Sequence, residues 1–346
     1  MGALRKKFVW VLIFGVMFGV NWVGGSSSLA QQTPRTDKKY VLKVSHNQPV
    51  AAPQHQGLEE FKKLAEEWSK GRLQIQIYPA QQLGGLREQV EGVQAGAIEM
   101  SQQPPAAITN FAPQLGVIDT PFLFPTDITK LWRVFDSKEV LSDIYASLDK
   151  VGMKGFHFWG SGYKVLTANK PIHSPNDLKG LKYRVMPSPL LIAQFKAWGV
   201  STVPIDYAET YNALQQKVVD GVEWTINGTV DWKLWEVQNF MSMTNHGYLA
   251  YLVIANKKWF ESLPTDLQDI ILRAEAEGVK KHRQLLTAVE TENIVTIEKK
   301  MKVIHLTEQE RAVFQKASES SWQAFSEKVG PDFFKRVQET VAQALK

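Results

Sequence analysis

Helical and strand-like periods alternate along nearly the whole of this chain, and that alternation restricts it to an α/β architecture. Residues 40–45 read as a strand, and Leu58, Phe61, Leu64, Ala65 and Trp68 then recur at helical spacing. Leu73, Ile75 and Ile77 alternate with polar residues as a strand does, and Leu86, Val90 and Val93 mark another helix. Strand–helix–strand–helix order predicts a sheet with parallel pairs. The spacing predicts a helix over 128–148, two strands over 153–159 and 163–167, and a short strand over 252–255. Ser174-Pro175 and Ser188-Pro189 each set a capping residue before a proline at the first helical position. From Thr265 to Lys302 there is no proline and a single glycine, Gly278. A helix of roughly 35 residues is ~50 Å long, so this stretch is either two helices or one that spans two domains.

The N-terminus has its own pattern. Arg5, Lys6 and Lys7 precede an apolar run over 8–20, and Ser28-Leu29-Ala30 supplies small residues at alternate positions. This is the layout of a secretory signal peptide over residues 1–30. The alternative is an uncleaved anchor, but the run is short for the ~30 Å of hydrocarbon a spanning helix must cross. Removing the three basic residues from 40 leaves 37 against 35 acidic ones. That near-neutral balance takes away the case for nucleic-acid or membrane-surface binding. The chain has no cysteine, which excludes disulfides, thiolate metal sites and a thiol nucleophile.

Motifs for nucleophile elbows, phosphate loops, zinc helices and dinucleotide loops are absent from the sequence. The seven histidines are scattered, with His46 and His55 the nearest pair, readable either as a metal site or as loop residues. Arg184 stands out because Tyr183, Val185 and Met186 around it are apolar. An arginine there must be solvated, paired with an acid, or used on a ligand; its planar fork can hold a carboxylate by two parallel hydrogen bonds. Lys164 offers a second positive charge or is a surface residue. Trp224 follows a helix end and Gly221, and is either core or the apolar wall of a pocket.

Several segments together resemble the solute-binding proteins of TRAP transporters, the DctP-like family. They include residues 42–46, 78–84, 119–125, 177–185, 209–215, 219–223 and 263–268, in the family's order. The resemblance implies a two-lobed fold of the periplasmic-binding-protein type, with a ligand cleft between lobes and a long helix spanning both. Lobe I would comprise 39–161 with 250–289, and lobe II 162–249 with 290–346. It further implies a periplasmic protein that captures a small organic acid for integral membrane permease subunits. Arg184 falls where the family fixes the ligand carboxylate, and Lys164 where many members carry a second arginine. Tyr207 falls where an aromatic residue lines the pocket, and Asn47 matches a polar contact from the other lobe. Tyr163, Tyr207 and Trp224 are expected to pack against the ligand's body. One departure is that Trp224-Thr225 replaces the Asn-Pro of many members, pointing to an aromatic-walled pocket and away from small dicarboxylates and sialic acid. No metal or other cofactor is expected, and no catalytic residue. A sensing role beside a receptor, or a periplasmic carboxylate-processing enzyme, are the other classes this sequence admits.

Overall fold

The computed structural model describes residues 38–346; the expected signal segment over 1–30 lies outside the described residues. The described residues form ten strands: β1 (Tyr40–His46), β2 (Leu73–Tyr78), β3 (Met100–Gln103), β4 (Met153–Ala168) and β5 (Lys182–Val185), then β6 (Ser201–Pro204), β7 (Gly221–Thr225), β8 (Phe240–Met243), β9 (Tyr248–Asn256) and β10 (Lys302–His305). Their order is β2-β1-β3-β9-β4-β7-β5-β6, with β8 pairing both β4 and β10. β1 is parallel to β2 and β3, and β5 is parallel to β6 and β7. The predicted parallel pairs are therefore present at both ends of the sheet. Among the described residues, no helix is long and apolar enough to cross a membrane.

β4 holds the two ends together. Its first part pairs antiparallel with β9 from Met153↔Asn256 to Tyr163↔Tyr248. Its last residues pair with β7 from Lys164↔Thr225 to Ala168↔Gly221. The two strands expected over 153–159 and 163–167 are thus one strand of 16 residues. The glycines between them mark a register shift between Gly160 and Tyr163, where the ladder is irregular without breaking.

The stretch from Thr265 is also continuous. Thr265–Lys300 forms one helix of 36 residues, roughly 54 Å long at 1.5 Å per residue. Near its start, Leu267, Ile271 and Ala274 pack with Leu42, Val44 and Phe61 under β1 and β2. Near its end, Ile297 packs with Val165, Ile226 and Met241 beside β4 and β8. One helix therefore serves both lobes of the α/β fold, and the two-helix alternative fails. In the last helix, Pro331–Leu345, Phe333, Val337 and Val341 share an apolar cluster with Leu131, Val134 and Ile144 and with Ile254 of β9. Its amphipathic face is buried by whichever apolar surface lies nearest, and sequence order does not record which.

The helix Pro53–Trp68 crosses the long helix with almost no clearance at Gly57 and Gly278. A Cβ on Gly57 would stand 2.8 Å from the Gly278 carbonyl oxygen and 2.8 Å from His282 Cβ. Because backbone on the partner helix cannot step aside cheaply, Gly57→Ala is expected to cost about 1–3 kcal/mol. Equilibrium denaturation checks this, and unchanged or higher stability would contradict it.

Candidate functional site

β5 has parallel neighbours on both sides, so its four residues alternate between two covered faces. Tyr183 and Val185 point into an apolar cluster with Phe195 and Trp198. Arg184 takes the opposite face, opposite Val203 of β6 and Val222 of β7. It is only 2% exposed. Its Nε donates to the Ile205 carbonyl at 2.9 Å, while Nη2 is buried with no partner among the described residues. Burial lowers its pKa to about 10, partly opposed by Asp206 and Glu223, so the guanidinium stays charged at neutral pH. It makes no ion pair among the described residues; Cζ lies 5.4 Å from the centre of the Trp224 ring.

Arg184 lines a cavity at the carboxyl ends of β1, β5 and β7, where ligands of open α/β sheets bind. Asn47 and Gln48 reach it from beyond β1, Lys164 from β4, Glu223 and Trp224 from β7, and Tyr251 from β9. Tyr207, on the loop after β6, completes an aromatic wall. It stacks on Trp224 with ring centroids 5.3 Å apart and planes 9° from parallel. Trp232 braces Tyr207 edge-on, its Nε1 donating to the Tyr207 hydroxyl at 2.6 Å. Gly228 makes room for this wall, because a Cβ there would stand 2.5 Å from Trp224 Nε1. That indole N–H is buried and has no acceptor among the described residues. On the opposite side Asn47 Nδ2 and Gln48 Nε2 both donate to the Tyr251 hydroxyl, the former at 3.4 Å. The cavity is narrow, about 30 Å³, against the ~10–15 Å³ that holds one water. A guest of more than a few atoms enters only if the walls part.

Lys164 sits in the same cavity but is not free. Its Nζ is 3.0 Å from Asp119 Oδ1 and 3.2 Å from Glu223 Oε1, with the side chain 2% exposed. Burial works against its charge, and Asp119 and Glu223 outweigh it and hold the ammonium above its ordinary value; burial also pushes the Asp119 carboxyl up, which Lys164 opposes only in part, so Glu223 is the firmer counter-ion. Glu223 is lowered to about 2, burial being overcome by Lys164 and His246. Its other oxygen, Oε2, accepts from Gln194 Nε2 at 3.1 Å and lies 2.8 Å from His246 Nε2. The reading of Lys164 as a surface residue therefore fails, and a direct ligand contact has to compete with two carboxylates already in place.

Four expected residues, Arg184, Tyr207, Trp224 and Asn47, meet at one cavity, with Lys164 as their neutralised neighbour. Tyr163 does not join them. Successive strand residues face opposite ways, so placing Lys164 toward the cavity turns Tyr163 away. Tyr163 donates its hydroxyl to the Pro125 carbonyl at 3.2 Å and packs edge-on against Tyr248. Sequence reading missed Glu223 as the partner of Lys164, and it missed Gln48 and Tyr251. Tyr251 falls just before the short strand expected over 252–255 and is one of two tyrosines in the longer strand β9.

His46 and His55 do come together, with His46 Nε2 3.0 Å from His55 Nδ1. His46 Nδ1 accepts from the Gln48 backbone N–H at 3.2 Å, so its proton is on Nε2 and is donated to His55. The pair thereby fixes the turn that presents Asn47 and Gln48. No group of three metal-ligating side chains occurs among the described residues.

Residues 44–328 match the family model of bacterial extracellular solute-binding protein, family 7 (DctP). The chain belongs to that family. This DctP-family chain is 32% identical over 293 residues to the 2,3-diketo-L-gulonate-binding periplasmic protein YiaO of Escherichia coli (strain K12), covering 84% of this chain and 86% of that protein. It is 30% identical over 341 residues to the C4-dicarboxylate-binding periplasmic protein DctP of Rhodobacter capsulatus, covering 96% and 98%. Among solved structures, a TRAP periplasmic solute-binding protein from Desulfovibrio salexigens with bound orotic acid aligns with a TM-score of 0.85 and 32% identity, covering 88% of this chain and 100% of that one. DctP-family proteins are periplasmic transport proteins that bind substrates.

Lys164→Met leaves two carboxylates without their cation and is expected to cost roughly 3–5 kcal/mol in denaturant unfolding; a loss below about 1 kcal/mol would contradict the ion-pair role. His282, which accepts from the Gly160 N–H at 2.9 Å, is lowered by burial from 6.5 to about 3. The unfolded chain then binds the extra proton below pH 6.5, so this stability is complete above 6.5 and is lost as pH falls toward 3. Between pH 7.5 and 5 the wild type should lose about 2 kcal/mol more than His282→Gln. Equal losses in parallel denaturation series would refute this.

Proposed function

We propose that this chain is the periplasmic solute-binding protein of a TRAP transporter, capturing a small organic acid through Arg184 and delivering it to integral membrane permease subunits. The observation that carries the reading is a buried guanidinium with an unpartnered Nη2 facing a cavity at the carboxyl ends of parallel strands. A buried cation without a counter-ion is unfavourable, and a ligand carboxylate would supply both the charge and the missing acceptor. Trp224 and Tyr207 would flank the ligand's body, and Asn47 would meet its polar end from across the cavity. Lys164 assists indirectly, by holding Glu223 away from Arg184. Ligands named for relatives and neighbours, including succinate and orotic acid, are carboxylic acids or their anions, which supports the same chemical class here. Residues 1–30 would be removed on export.

The walls are too close to admit such a guest without opening, so the ligand would favour the closed state by contacts available only there. A binder found by thermal shift should stabilise the fold by ~2.7 kcal/mol at a hundredfold excess over Kd. Arg184→Ala is expected to weaken that binder about 100-fold or more in calorimetry, the range for losing one partner of a buried charged pair, while the variant still folds. Near-native affinity in a folded Arg184→Ala protein would remove the proposal.

A further inference from the structure

Taking the function proposed above as its basis, we infer that the cavity selects monocarboxylates and rejects dicarboxylates, and that Glu223 sets this preference. The cavity's two cations are not equivalent. Lys164 is already bracketed by Asp119 at 3.0 Å and Glu223 at 3.2 Å, and only Arg184 has a polar atom left to offer. One carboxylate is therefore matched. A second would meet the Trp224–Tyr207 stack on one wall or the neutral amides of Asn47 and Gln48 on the other.

The remaining charges make matters worse for a dianion. Glu223 lines the cavity itself, and Asp206, held by Gln81 Nε2 at 3.0 Å, adds negative field at Arg184. The opposite wall suits a different group. Asn47, Gln48 and the Tyr251 hydroxyl form a chain of neutral donors and acceptors, and Trp224 Nε1 is a donor in need of an acceptor. These features fit a hydroxyl, oxo or amide group on a flat or apolar body. The ligand class is therefore a monocarboxylate carrying neutral polar groups away from its carboxylate.

Matched probes test this by exchanging one carboxylate for a carboxamide: succinamate against succinate, and 3-carbamoylbenzoate against isophthalate. Orotate and galactonate join the panel as polar monocarboxylates. Calorimetry at pH 7.5 on the mature protein is expected to show Arg184-dependent binding of monocarboxylates, with the amide member of a pair at least about 30-fold tighter. Glu223→Gln frees the Lys164 charge and should narrow that ratio about tenfold; Asp119→Asn reads the same effect if the first variant does not fold. A dicarboxylate bound as tightly as its amide, with loss in Arg184→Ala, would overturn the selectivity and leave the transport reading intact. An unchanged ratio in a folded Glu223→Gln or Asp119→Asn protein would overturn the role given to the Lys164 pairs. Binding insensitive to Arg184→Ala, or no binding by any probe, would overturn both readings.

Discussion

A guanidinium buried to 2% exposure without a carboxylate partner has lost most of its hydration, and the surrounding structure supplies only part of a replacement. The Ile205 carbonyl accepts from Nε. The face of Trp224 lies 5.4 Å from Cζ, a cation–π distance contributing about 0.5–2 kcal/mol. Asp206 and Glu223 add favourable field without touching it. These terms keep Arg184 charged but leave Nη2 without an acceptor. The aromatic stack, the turn after β1 and the loop after β6 all border this one incomplete charge.

Magnitudes separate the two cations. At an effective dielectric near 20, each Lys164–carboxylate contact near 3 Å is worth roughly 5 kcal/mol in gross attraction, offset by the desolvation of every group involved. Two such contacts exceed what a single ligand carboxylate could offer by displacing one of them. An ammonium is also a compact point charge that two acids can surround, whereas a guanidinium presents a planar fork suited to one carboxylate side-on. The arrangement therefore sets a lysine between two acids and leaves the arginine without an ion pair among the described residues.

Much of the site was legible because local composition exposed it. Arg184 is conspicuous between Tyr183 and Val185, and Trp224 is conspicuous after Gly221. The partners were not legible, because they are distant in sequence: Asp119 and Glu223 reach Lys164 across 45 and 59 residues, and only the fold brings them together. Tyr163 was a local error. A period of two cannot send residues 163 and 164 into one cavity, and the alternation itself gave grounds for choosing between them. The division of β4 failed for another reason. Gly160 and Gly162 resemble a turn in sequence, but β9 continues alongside and keeps the ladder going through a register shift.

That continuity bears on how the site can work. Asn47 and Gln48, in the turn after β1, and Tyr251 of β9 come from one side of β4 in the sheet, and Arg184, Glu223 and Trp224 from strands on the other side. β4 belongs to both ends, and the long helix packs on both. The two walls of the cavity are thus tethered by ordered elements rather than by a loose linker. In β4 the pairing with β9 is irregular between Gly155 and Phe158 and again between Gly160 and Tyr163, and the second irregularity is immediately followed by Lys164. A bend there would alter the spacing of the walls while the Lys164–Glu223 pair, made between the adjacent strands β4 and β7, moves as one unit with Arg184. The Lys164–Glu223 contact would then be the same before and after such a bend.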